Sequence, residues 1–140
     1  MPVRMELARI LIRELNDFQV IELREVPNGD DAHPRTFPIV IGLPEAHAIE
    51  RRLKGVSIKR PQTHDLLASV ITSLGGTLTS ITINDLSEHT FYATLDVKTG
   101  DGRDLKIDSR PSDAIALGIA GEVPIFVEEH VLEAASREDV

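Results

Sequence analysis

The stretch Ile107-Asp108-Ser109-Arg110-Pro111-Ser112-Asp113-Ala114-Ile115-Ala116-Leu117 carries a strand-like run into a helix that is apolar on nearly every side. Pro111 suits the first helical position, where a backbone N–H has no partner and a fixed φ is favourable. Asp113 falls two residues later, still in the first turn, where a carboxylate accepts orphan N–H groups and complements the positive end of the helix dipole. The segment alone therefore reads Asp113 as a structural cap. A helix apolar all round is a buried helix. Polar groups held that close to a core are satisfied by one another or used for chemistry.

Working outward, residues 77–83, 90–97 and 103–107 are rich in Thr, Ile, Val and Leu, and Thr99-Gly100-Asp101-Gly102 supplies turn residues between the last two, so the three read as a meander. A short strand over 124–127 and a final amphipathic helix over 128–135 follow the buried helix. Upstream, residues 3–13 and 18–26 read as two strands joined near Asn16-Asp17, 27–31 as a turn, and 37–42 as a buried strand whose Pro38 marks an edge or a bulge. Residues 44–53 read as a helix closed by Gly55, with Ala46, Ile49 and Leu53 inward, Glu45 on the margin of that stripe and His47 pointing elsewhere. Thr63 caps a second helix whose Leu66, Leu67, Val70, Ile71 and Leu74 form a broad apolar face, with His64 at its edge and Asp65 projecting away. The order of elements predicts an α+β fold, with helices packed on a mixed, mostly antiparallel sheet, in a single domain over 1–140.

The 140 residues match the size of one domain, and 41% hydrophobic with 27% charged residues is a globular composition rather than a disordered one. With no cysteine, the chain has neither a disulfide framework nor a thiolate metal site nor a cysteine nucleophile. The first residues lack the apolar run of a signal peptide and no segment is long enough to span a bilayer, which predicts a cytoplasmic protein away from membranes. A net charge of −8 opposes whole-surface attraction to a polyphosphate. The charge is uneven, however. Arg51, Arg52, Lys54, Lys59 and Arg60 fall in a run without an acid, while Glu128, Glu129, Glu133, Glu138 and Asp139 make the end acidic. The basic run reads either as a solvated helix face with a basic loop or as a local nucleic-acid-binding patch that contacts phosphates.

The chain carries no Walker loop, dinucleotide fingerprint, nucleophile elbow or zinc-binding histidine pair. It carries polar clusters at element boundaries instead: Glu45 with His47, residues 60–65 (Arg-Pro-Gln-Thr-His-Asp), and 108–113. At these clusters, together with Phe-Pro-Ile-Val-Ile-Gly at 37–42, Phe-Tyr-Ala at 91–93 and Pro-Ile-Phe-Val at 124–127, the sequence resembles the bifunctional nuclease domain family over about residues 35–132. The resemblance implies an α+β domain, a homo-oligomer, and DNase and RNase activity of the kind for which the family is named. It carries over no catalytic residue. The chain departs from the family where an aromatic often precedes the Ile-Gly of the third strand and Val40 stands here, and in the loop over 27–34.

Hydrolysis of a phosphodiester needs an activated water, charge stabilisation on the nonbridging oxygens and help for the leaving oxygen. Residue chemistry nominates Glu45, Asp65, Asp108 and Asp113 as ligands for Mg²⁺ or Mn²⁺, Arg110 as an electrophilic clamp and His64 as a proton carrier, with RNA or DNA as substrate. Asp108, Arg110, Asp113, His64 and Asp65 are then the catalytic set. The competing reading makes Arg110 the bidentate partner of Asp65 or Asp113, fastening two helix starts, with His64 capping a carbonyl. A third reading is a protein- or nucleic-acid-binding module without turnover. The first requires a shared cleft; the last requires the charges neutralised in pairs beneath a flat surface.

Overall fold

The computed structural model describes residues 2–13, 15–27 and 33–137. Residues 28–31 of the turn expected over 27–31, and the acidic residues Glu138 and Asp139, lie outside them. Seven strands, β1 (Pro2–Leu11), β2 (Phe18–Glu25), β3 (Thr36–Gly42), β4 (Thr77–Ser87), β5 (Thr90–Lys98), β6 (Asp104–Ser109) and β7 (Ile125–Glu128), form one sheet in the order β3-β2-β1-β7-β4-β5-β6. Two three-stranded antiparallel meanders are joined by β7, which runs antiparallel to β1 and parallel to β4. The mixed, mostly antiparallel α+β sheet expected from the sequence is what forms. Pro38 sits in an edge strand, where a missing N–H costs no ladder bond.

The helices are α1 (Leu43–Lys54), α2 (Thr63–Ser73), α3 (Pro111–Ile119) and α4 (Glu129–Arg137). None is long and apolar enough to cross a membrane among the described residues. Ile81, Ile83, Ala93, Leu95 and Val97 alternate along β4 and β5 into a core completed by Ile49 of α1, Ile115 and Leu117 of α3, and Val131 and Leu132 of α4. α3 packs against α1, α2, β4 and β5, which explains why it needs no polar face. On the other side of the sheet Asp96 is buried among Ser80, Thr82, Thr94 and Lys106, all of which donate hydrogen bonds to it.

The sheet is strongly curled. In a flat sheet five strand steps of about 4.8 Å would separate β3 from β5 by about 24 Å. The rings of Phe37 in β3 and Phe91 in β5 instead stack with centroids 5.5 Å apart. α4 lies against β3 and β4 inside this curl.

Three local expectations need correction. Gln62 is the N-cap of α2 and Thr63 its first helical residue; the Gln62 backbone N–H is satisfied by the Asp65 carboxylate at 2.9 Å. The expected apolar face of α2 is not buried within the chain, because Leu66, Leu67, Val70 and Leu74 are exposed, while Ile71 and Ala68 pack on the core. In α1 Leu53 is exposed while Arg52 turns inward.

Candidate functional site

β6 ends at Ser109 and α3 begins at Pro111, with Arg110 in extended conformation as the N-cap. One helical turn brings Asp113 back beneath Arg110. The arginine Nε donates to Asp113 Oδ2 at 2.9 Å and Nη2 to Oδ1 at 3.2 Å. The same Oδ1 lies 3.0 Å from Nε2 of His64, in the first turn of α2. Asp113 therefore couples the starts of two helices and holds two cationic or polar side chains at once. Burial pushes its carboxyl up, but the hydrogen bonds from Arg110 and His64 outweigh burial and keep it below the ordinary carboxylate value. The aspartate raises the Arg110 pKa in return.

Arg110 is not consumed by this pair. Its side chain is 64% exposed, and Nη1 makes no hydrogen bond among the described residues. His64, Asp108, Arg110 and Asp113 line one cavity of about 700 Å³, together with Tyr92 of β5 and Leu67 of α2. On the other side of Arg110 is a second cavity of about 560 Å³, formed where the curled sheet brings β3 toward the β4–β5 hairpin. Glu45, Val40, Phe18, His89 and Ser112 line it. Thr90, Phe91 and Arg110 border both cavities and form the ridge between them.

One of the expected acids, Asp65, stands apart from this centre, and a second, Glu45, faces Arg110 from the other cavity, where its charge helps to raise the arginine's pKa. Asp65 turns away from Asp113 toward α1, where Arg51 Nη2 donates to Oδ2 at 2.8 Å and Arg52 Nη1 to Oδ1 at 2.5 Å. Burial raises its pKa, but the Gln62 N–H and the two arginines lower it by more, so the net displacement is downward. Glu45 is in the first turn of α1 and folds back over Gly42, where a Cβ would collide with its carboxylate. Of the four carboxylates expected to gather a divalent ion, only Asp108 and Asp113 line a common cavity. No group of three histidine or carboxylate side chains is arranged to hold a metal among the described residues. The donor set does not fit a preassembled Mg²⁺ or Mn²⁺ centre.

The basic run divides in the same way. Arg51 and Arg52 are committed to Asp65, and Lys54 lies 3.6 Å from Glu50. Lys59 and Arg60 are exposed and make no ion pair among the described residues. The structure also adds residues that the sequence reading passed over. Ser87 pairs with Thr90 across the β4–β5 hairpin, leaving Glu88 and His89 as a two-residue turn with φ of 51° and 64°. A two-residue gap between strand patterns without an Asn-Gly was the available signal for His89.

The molecule is thus an α+β domain with a one-sided, curled sheet and a cleft built at the start of its most buried helix. The profile of the family described as "Bifunctional nuclease domain" matches residues 29–139, and the chain belongs to that family. It is also 43% identical over 126 residues to the uncharacterized proteins MT1877 and Rv1829 of Mycobacterium tuberculosis, strains CDC 1551 / Oshkosh and ATCC 25618 / H37Rv, across 90% of this chain and 71% of each relative.

Proposed function

We propose that the cleft at Arg110 binds and hydrolyses a phosphodiester of RNA or DNA. The observation that carries the reading is the double engagement of Asp113, which holds Arg110 and His64 in the wall of one cavity. Arg110 takes a nonbridging phosphate oxygen on the guanidinium edge that Asp113 leaves open. An ionised Asp113 accepts the Nε2–H of neutral His64, which leaves Nδ1 as the acceptor for a proton from water. The water oxygen bonds to phosphorus, the bond to the leaving oxygen breaks, and that oxygen recovers a proton from His64 or from solvent. Asp113 acts as a positioning residue. Asp108 lines the same cavity and contributes a second carboxylate there.

The test is a cleavage assay on purified protein with labelled RNA and DNA, with and without a chelator, comparing the parent with Arg110→Ala and His64→Ala after melting curves show that both variants fold. Loss of about 10²-fold or more in each supports hydrolysis. Unchanged cleavage by both folded variants assigns the activity to a contaminant or another site. A second reading, binding without turnover, draws on the mutual neutralisation of Arg110 and Asp113; it predicts nucleic-acid binding that Arg110→Ala abolishes and no cleavage under any condition.

The exposed apolar residues of α2 support self-association. Sedimentation velocity of the parent against Leu66→Asp with Leu74→Asp reads this directly, and a monomeric parent removes the proposal.

A further inference from the structure

Apart from Arg110 in the shared wall, the cavity on the β3 side is lined by nothing that the cleavage scheme uses, yet it is as large as a small-ligand site. The chain has four phenylalanines, one tyrosine and no tryptophan, so aromatic placement is informative. Phe37 stacks in the core, but Phe18 on the β3 side of the ridge is 72% exposed and Tyr92 on the other side is 42% exposed. Each cavity thus offers one exposed ring, and the exposed cation stands between them.

We infer that the site takes single-stranded nucleic acid, with one phosphate on Arg110 and the two flanking nucleosides in the cavities on either side, their bases against Phe18 and Tyr92. This deepens the proposed function and rests on Arg110 being the phosphate site. Rings can stack only on bases whose faces are free, and a duplex keeps its bases stacked on each other. Charge favours the same substrate. A duplex needs many phosphate contacts over a broad surface, which a chain of net charge −8 does not provide. A single strand seated on one guanidinium and two rings needs few. The two-residue turn between β4 and β5 holds Glu88 and His89 in the left-handed region that such a hairpin requires, and places His89 in the wall of the β3-side cavity.

The test is fluorescence anisotropy with a labelled phosphorothioate decanucleotide, which resists cleavage, against the same sequence closed into a hairpin duplex. The expected result is at least about tenfold tighter binding of the single strand, and losses of about 5- to 150-fold for Phe18→Ala and for Tyr92→Ala. Tyr92→Phe keeps the ring and stays within about twofold of the parent. Both aromatic side chains are exposed, so the variants retain the parent's melting temperature. Equal affinity for the two probes, or Ala variants that bind as the parent does, overturns the inference; if Arg110→Ala still weakens binding in that case, the phosphodiester site itself stands. If the parent binds neither probe, both readings fall.

Discussion

The guanidinium of Arg52 in α1 is held by the carboxylate of Asp65 in α2, with only 9% of the arginine side chain exposed. The same guanidinium donates to the carbonyls of Ala116 and Leu117 in the last turn of α3, at 2.5 and 3.0 Å. Those carbonyls have no helical partner of their own, so one arginine caps α3 and fastens three helices. Asp65 and Arg52, nominated for chemistry and for nucleic-acid contact, are the brace behind the cleft.

Asp65→Asn should therefore lower stability by about 2–4 kcal/mol, because it leaves two arginines, one of them nearly buried, without a counter-charge. That corresponds to a fall in melting temperature on the order of 10 °C. The sign with pH follows from the lowered carboxyl. Asp65 ionises below its ordinary 3.8 in the folded chain, so the unfolded state binds the proton first as pH falls. The stabilisation is whole above about pH 5 and is lost as pH drops through 3.8 toward the folded value. Urea unfolding of parent and variant should show a constant gap near neutrality that closes in acid. A gap unchanged in strong acid would remove the ion pairs as its source.

Asp113→Asn separates positioning from folding. The amide keeps the shape of the carboxylate but weakens its hold on Arg110 and on His64 Nε2. If Asp113 orients the proton carrier, kcat should fall about 10²-fold with a smaller change in KM, and Asp113→Glu should restore part of it. A structural cap alone predicts a lower melting temperature with kcat intact in the folded fraction.

Much of this arrangement is readable in advance, and the unread part has a physical cause. Pro111 followed by an apolar run identifies the start of α3, and Pro38 narrows its strand to an edge or a bulge, of which the edge is found, because both rules act within a few residues. The convergence of β3 on β5 is a property of sheet curl summed over seven strands, and no local pattern reports it. Half of the site was hidden for that reason, since Phe18, Val40 and His89 meet Arg110 only across the closed end. The basic run misleads differently. Arg52 follows Ile49 by three positions and so lies beside the inward stripe of α1, a placement that spacing reveals but that a count of charges does not.

Lys59 and Arg60 are what remains of the expected basic patch, ahead of the start of α2 that brings His64 to the cleft. If they contact phosphates, Lys59→Ala with Arg60→Ala should weaken binding alike for all sequences. The slope of log K against log salt should become shallower by about 1.4, or 0.7 per contact on a single strand. Arg52→Ala should instead lower the melting temperature. A double variant with the parent's slope would confine phosphate binding to Arg110.

The β4–β5 turn gives the last expectation, one in which stability and binding move in opposite directions. Glu88 and His89 both sit at positive φ in a two-residue hairpin, a geometry that Asn-Gly adopts with far less strain. Replacing the pair by Asn-Gly should raise stability by about 0.5–1 kcal/mol, seen as a later urea midpoint with an unchanged slope. The same variant removes the imidazole from the β3-side cavity and should weaken single-stranded binding while leaving the Asp113 pairings untouched. A stabler protein that binds as tightly as the parent would mean that the turn's strain serves neither the cavity nor its occupant.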